Sequence, residues 1–383
     1  MNMMPFWAAA NLVTSSEVAL PFKISLEDMA SGTGRLVDGE LSSYAGDGIR
    51  FRAGDVLFGK LRPYLAKYWL ADREGTAGGD IHVYRPAPGI ESRFLRYVVA
   101  TSNFVRFAEA ASKGTKMPRV EWAGLRTFPV MRVPLSAQQR IADFLDRETA
   151  EIDAMDVELD RLIGTLDERR RVTIDTILGV GPPSRLRWAI ELSQTGPFGT
   201  QLAASEYVTG GIPVINPTHI RRDGIFPEES ITVSNAKAVE LERHLLKPGD
   251  IVLGRKGEVD KSALVSDSLG PALCGSDSML IRADRDKCSP EYLWWFFQSA
   301  NCHTQLERMS VGTTVAGLNQ TAISALWMPL PEAAEQHRIV AELDEQTVRI
   351  DSMIADAQRL KALLAERRTT LITDVVTGRK EVA

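Results

Sequence analysis

The sequence predicts an α+β protein: two similar mixed domains bridged by a two-helix antiparallel coiled coil. Three observations carry this expectation. The chain matches itself at a shift of 198 residues. Each copy ends in a long stretch whose apolar residues recur at steps of four and three. Pro182-Pro183 lies between the copies, and two prolines cannot continue a helix.

The repeat is clearest in its later part. Gln138-Gln139-Arg140-Ile141 faces Gln336-His337-Arg338-Ile339, Leu145-Asp146 faces Leu343-Asp344, and Glu168-Arg169-Arg170 faces Glu366-Arg367-Arg368. The same shift pairs Gly114-Thr115 with Gly312-Thr313, and no gap is needed from Phe94 to Leu178. Upstream the shift becomes 195, where Ala53-Gly54-Asp55-Val56-Leu57 faces Pro248-Gly249-Asp250-Ile251-Val252. The boundaries that follow are 1–135 for the first globular domain, 136–181 for the first long helix, 182–332 for the second domain, 333–378 for the second helix, and 379–383 for a tail.

A seam with an average step of ~3.5 residues keeps facing a partner helix. The spacing predicts one through Ile141, Leu145, Glu148, Ile152, Met155, Leu159, Leu162 and Leu166. The second copy gives Ile339, Leu343, Gln346, Ile350, Met353, Ala357, Leu360, Leu364 and Leu371. The polar positions Glu148 and Gln346 are expected to set register. Two equal helices with equal seams pack most simply on each other. At ~1.5 Å per residue such a rod is about 60 Å long.

With 44% hydrophobic and 25% charged residues, the chain has ordinary globular composition. No apolar run approaches the ~20 residues a bilayer span needs, and the first twenty residues lack the basic start of a secretory signal. A cytoplasmic location is expected. Cys274, Cys288 and Cys302 are odd in number and have no CxxC spacing, which disfavours a disulfide framework or a zinc ribbon. The five histidines show no HxxxH or HExxH spacing.

The net charge of −5 looks unsuited to a nucleic-acid binder, but its distribution matters more. From Ala137 to Arg171 there are six basic and ten acidic residues, and from Glu335 to Arg368 six and seven. The helices therefore hold the whole excess, which suits a protein partner. The globular parts hold basic clusters that could grip phosphate. Arg52, Lys60, Arg62 and Lys67 stand against Asp55 alone, and Lys113, Lys116, Arg119 and Arg126 stand against Glu121.

Several segments in this order resemble a known family. They are Gly54-Asp55-Val56-Leu57-Phe58-Gly59-Lys60-Leu61-Arg62-Pro63-Tyr64 and Gly114-Thr115-Lys116-Met117-Pro118-Arg119 in the first half. The second half has Gly196-Pro197-Phe198-Gly199-Thr200-Gln201-Leu202, Gly210-Gly211-Ile212-Pro213-Val214-Ile215, Gly249-Asp250-Ile251-Val252, Gly312-Thr313-Thr314 and Leu318-Asn319-Gln320. Any one segment is a weak signal; the duplicated order, over nearly the whole chain, resembles the HsdS-like specificity subunits of type I restriction–modification systems. The resemblance implies two target-recognition domains on double-stranded DNA, each reading half of a split site, with antiparallel helices holding them apart and setting the spacer. It also implies no catalysis in this chain. Two methyltransferase subunits would use S-adenosylmethionine, and restriction subunits would use ATP and Mg, so this chain itself needs no cofactor. Met1 to Leu20 shows no clear counterpart of Gly196 to Leu202, so the first domain is expected to be shortened or divergent at its start.

Arginine can pair with guanine through two donors, and lysine neutralises phosphate. The DNA contacts expected in the first domain are Lys60, Arg62 and Lys67, then Thr115, Lys116 and Arg119 beside the Gly-Thr turn. Their second-domain counterparts are Arg255, Lys256 and Lys261, with Arg221, Arg222, Thr313 and Thr314 added. Tyr64, Trp69, Trp294 and Trp295 read as core, as does the apolar cluster from Tyr292 to Phe297.

Enzyme signatures are weak. Asn216-Pro217-Thr218 lacks the second proline and the aromatic residue of an adenine-methyltransferase loop and reads as a turn. Gly32-Thr33-Gly34 lacks the third glycine of a dinucleotide fingerprint, and no GxxxxGK[ST] phosphate loop occurs. The main alternative is a coiled-coil adaptor whose globular domains bind protein. A steep salt dependence of DNA binding separates the two readings.

Overall fold

The computed structural model describes residues 2–18, 20–37, 39–41, 47–197, 199–221, 224–255, 261–310 and 319–382. They form two compact units, Met1–Arg161 with Gln358–Ala383 and Leu162–Ala357. Two helices of 44 residues, Leu135–Leu178 and Ala333–Val376, each contribute to both units.

The central sheet of the first unit runs Ala10–Val13, Ile81–Pro86, Val56–Gly59, Tyr68–Leu70, all antiparallel. The second unit repeats it as Ile190–Thr195, Ser278–Ala283, Asp250–Gly254, Ser262–Leu264. The strands Val56–Gly59 and Asp250–Gly254 are buried throughout because both sheet faces are covered. Successive side chains point to opposite faces. Val56 and Phe58 join the core shared with the helices, while Leu57 joins a separate core under a second sheet. Likewise Ile251 and Leu253 face the helices, and Val252 faces away. Each second sheet has four strands and includes one parallel pair: Lys23–Ile24 with Gly75–Ala77, and Ile212–Ile215 with Leu273–Cys274.

A short strand pair closes each globular domain: Met3–Pro5 on Pro129–Met131, and Pro183–Arg185 on Trp327–Pro329. This corrects the expectation of a first domain shortened at its start. The opening strands have counterparts, and Val13 holds the same register slot as Gln194, opposite Val83 and Leu280. From there Asp55 lies 42 residues on and Asp250 lies 56 on. The shortfall is internal, between the first sheet strand and the Gly-Asp turn.

That turn is built identically twice. Gly54 and Gly249 both take φ +89°, a left-handed conformation that glycine adopts without a Cβ penalty. The following carboxylates, both almost fully buried, clamp a cross-sheet arginine through two bonds. Asp55 accepts Arg85 at 2.9 and 2.8 Å, and Asp250 accepts Arg282 at 2.7 and 2.8 Å. Each also accepts a backbone N–H three residues back, Arg52 at 3.0 Å and Lys247 at 2.7 Å.

Where each long helix starts, one buried glutamine ties it to its domain. Gln138 accepts the Glu91 N–H at 2.9 Å and donates to the Gly89 and Val133 carbonyls. Gln336 accepts the Ser289 N–H at 2.8 Å and donates to the Lys287 and Pro331 carbonyls. Each domain also packs on the far end of the other long helix. Ile141, Leu145, Leu371, Ile372 and Val375 share the first core. Ile174, Leu178, Ile339 and Leu343 share the second.

Within each unit the two helix segments run antiparallel. Arg368 pairs with Asp153, and Lys361 with Asp156 at 3.3 Å, in the first unit. Arg170 pairs with Asp351 at 2.9 Å in the second, the same pair at the 198-residue shift. Ile141, Leu145, Ile152, Leu166, Ile339, Leu343, Ile350 and Leu364 are buried as the spacing predicts. Met155, Leu162, Met353 and Leu360 are not; they are between 43% and 50% exposed. The polar register positions also shift by one. Thr149 and Thr347 are buried in place of Glu148 and Gln346, and each hydroxyl donates to the carbonyl one turn back. The buried stripe therefore runs Ile141, Leu145, Thr149, Ile152, with Leu166 and Arg170 further on. It follows the ~3.6-residue period of a straight helix, which a strict 3.5-residue repeat drifts away from.

Among the described residues no helix is long and apolar enough to cross a membrane, and no cluster of three or more His, Cys, Asp or Glu side chains could hold a metal. The three cysteines are free and buried. Burial pushes the Cys288 thiol up to about 12 and raises those of Cys274 and Cys302 as well.

Candidate nucleic-acid interface

In the first unit two basic segments far apart in sequence meet at one end of the central sheet. The chain leaves the strand Val56–Gly59 into Lys60 and Leu61, then turns through the 3-10 helix Pro63–Leu65. Arg62 and Ala66, flanking that turn, adopt left-handed backbone at φ +51° and +48°. Such conformations cost a non-glycine residue roughly 1 kcal/mol or more. They are held by the Arg62 N–H donating to the Pro118 carbonyl at 2.7 Å and the Ala66 N–H to the Pro63 carbonyl at 2.9 Å.

The partner segment is a tight turn. Lys113 and Arg119 exchange two backbone hydrogen bonds of 2.9 Å, with Gly114 between them at φ +99°. Leu61 bridges Arg119, and the Val120 N–H donates to the Lys60 carbonyl at 3.0 Å. The structure thus brings together Lys60, Arg62, Thr115, Lys116 and Arg119. Arg62, Thr115, Lys116 and Arg119 are exposed and Lys60 is half-buried. Arg119 pairs with Asp80. Lys67, at the end of the same loop, is half-buried and donates to the Leu26 carbonyl at 2.9 Å.

Tyr64 corrects an expectation. It is 47% exposed rather than core, and Met117 in the Lys113–Arg119 turn is 62% exposed. A residue that follows Arg-Pro just beyond a strand has left the sheet's packing, and that was its signal in the sequence. Trp69 and Trp295 are buried as expected, with Tyr292, Phe296 and Phe297; Trp294 packs at the edge of the same core.

The second unit has the same frame. The strands Asp250–Gly254 and Ser262–Leu264 form a hairpin flanked by Arg255 and Lys261, both half-buried. The Arg255 N–H donates to the Asp277 carbonyl at 2.8 Å, as that of Lys60 does to Asp80 at 2.9 Å. The Gly254 N–H meets the Lys261 carbonyl as Gly59 meets Lys67. Arg221 is exposed on the short pair Ile220–Arg221 with Gly224–Ile225, its guanidinium 4.8 Å over the Phe226 ring. Arg222, Lys256, Thr313 and Thr314 lie outside the described residues.

Residues 198–360 match the family model of the type I restriction modification DNA specificity domain. Most of the second unit thus carries a type I restriction modification DNA specificity domain. The chain is 25% identical over 117 residues to the type I restriction enzyme EcoDI specificity subunit of Escherichia coli. That match covers 30% of this chain and only about a quarter, 26%, of the relative. It is 24% identical over 294 residues to S.HindORF215P of Haemophilus influenzae, named as a type I restriction enzyme specificity subunit, covering 73% of this chain and 69% of that protein. A solved chain from work on complex assembly and conformational transition of a type I R-M system has the same fold. Its TM-score is 0.66 at 18% identity, over 98% of this chain and 97% of that one.

Each unit buries histidine side chains. His82 faces the Tyr84 hydroxyl at 3.0 Å, and burial together with the Lys60 charge lowers its pKa to about 4. Burial, then Arg243, lowers that of His244 to about 4. An unfolded imidazole takes its proton near 6.5. Acid between those values therefore protonates the unfolded chain first, so stability is full above pH ~6.5 and falls as pH drops toward 4. Thermal unfolding should show a lower midpoint at pH 4.5 than at pH 7, and His82→Gln should reduce that difference.

Proposed function

We propose that this chain is the non-catalytic DNA-specificity subunit of a cytoplasmic type I restriction–modification complex. Each globular domain reads one half of a bipartite site on double-stranded DNA. The long helices set the spacer and dock two methyltransferase subunits. S-adenosylmethionine, ATP and Mg belong to the methyltransferase and restriction subunits.

One observation carries the reading: a cationic turn pair at the end of a central sheet, on a frame that occurs twice. Duplicated frames with different loop side chains suit a protein that reads two different half-sites. The exposed apolar residues Met155 and Leu162 recur as Met353 and Leu360. A surface presented twice favours two copies of one partner.

The test is the affinity of the chain, with its methyltransferase subunit, for duplex DNA across a salt series. Each phosphate contact contributes about −0.9 to the slope of log K against log salt. Arg62→Ala and Lys116→Ala should each flatten the slope by about that amount while leaving sequence preference intact. An adaptor that binds only protein would show no salt-dependent DNA binding. Mapping methylated adenines in cells carrying the complex would give the site itself.

A further inference from the structure

Asp80 sits where a phosphate-gripping surface has least use for a carboxylate. Lys60, Arg62, Lys113 and Lys116 crowd the same two turns, and the Asp80 carbonyl itself accepts the Lys60 N–H. Its side-chain Oδ1 pairs with Nη2 of Arg119, and both side chains reach solvent. Exposed ion pairs add little to stability. Beside DNA, a carboxylate cancels one arginine's charge and repels phosphate. The same turn position in the second unit holds Asp277, so an aspartate suits the turn, but the fold does not require its pairing with Arg119.

Reading a base edge gives that pairing a use. A guanidinium held at one Nη by a carboxylate has less freedom to swing and turns its remaining donors away from that contact. Guanine O6 and N7 accept two such donors in parallel from an arginine so held. The main chain of Arg119 is also fixed, by its two 2.9 Å bonds to Lys113. The geometry points to Arg119 as a guanine-reading residue of the first domain, with Asp80 as its positioning residue. This rests on the DNA reading proposed above. It is confined to one half-site, because the 198-residue shift sets Gly317 opposite Arg119. Lys113 and Lys116, on the same turn, supply phosphate contacts.

The experiment uses the full chain with its methyltransferase subunit and a randomised duplex pool, sequencing the bound fraction. Affinity for a fixed non-specific duplex is followed with salt, and thermal melting confirms folding. In Asp80→Ala and Arg119→Lys, preference for one G·C pair in one half-site should fall by roughly tenfold to a hundredfold. The other half-site should be unchanged. Arg119→Lys keeps its charge and should keep the salt slope, and Asp80→Ala should bind the non-specific duplex as well as or better than the parent. Asp80→Asn, which retains an acceptor for the guanidinium, should keep part of the preference. The inference is overturned if Asp80→Ala tightens binding to all sequences with base preference intact, or if Arg119→Lys leaves that preference unchanged. Absence of any sequence selectivity in the parent complex would overturn the DNA reading itself.

Discussion

Asp250→Ala is expected to destabilise the second unit by about 3 kcal/mol, and Asp55→Ala the first unit by less. Removing one partner of a buried ion pair typically costs ~3–5 kcal/mol, because the remaining charge loses its compensation. Here the remaining charge is Arg282, whose side chain is 18% exposed, against 33% for Arg85. Water reaches Arg85 more readily, so its loss is softened. Each substitution also leaves a backbone N–H, that of Lys247 or Arg52, without its carboxylate acceptor. The units need not unfold together, so hydrogen exchange of the central-strand amides is the appropriate measure. Protection across Asp250–Gly254 and Ser278–Ala283 should collapse in Asp250→Ala and partly return in Asp250→Ala/Arg282→Met. Equal effects in the two units, or effects below about 1 kcal/mol, would refute this account.

Much of that device is visible in the sequence as Gly-Asp followed by an apolar run, twice. Its role is not. A glycine that needs φ +89° and a carboxylate that clamps a strand nearly thirty residues on look alike with any other turn until the strands are paired. The helices were legible for the opposite reason: their periodicity is local, and the repeat doubles it. The basic clusters were legible as composition, but their convergence was not. Lys60–Tyr64 and Lys113–Arg119 lie some fifty residues apart and meet through Leu61, Arg62, Pro118 and Arg119. Asp80 lies in neither segment, and nothing local in the sequence links it to Arg119. Strand alternation was absent from Val56–Gly59 because both faces are buried, so that segment showed its length but not its orientation.

On the long helices, expected effects separate between residues a few positions apart. Ile350→Ala and Leu166→Ala should each cost about 2–4 kcal/mol, since both are at most 6% exposed and share one cluster with Ile354. Met353→Ala, Leu162→Ala and Leu360→Ala should stay within about 0.5 kcal/mol in the isolated chain, because their side chains already meet water. A seam with an average step of 3.5 residues predicts large losses at all five, so denaturation of the five variants decides between the two periods. The reason lies at Thr149 and Thr347. Each hydroxyl bonds the carbonyl four residues back, at 2.7 and 2.8 Å, so a small polar side chain can enter the stripe without an unsatisfied donor. With threonine accepted inside, the stripe continues at steps of four, then three. The arginines Arg170 and Arg368 then fall on it, buried and paired with Asp351 and Asp153. A scan for apolar residues alone passes over threonine and arginine and takes the nearest methionine or leucine instead. If partner subunits cover those residues in the assembled complex, Leu162→Ala and Leu360→Ala should weaken assembly while leaving the free chain's stability unchanged.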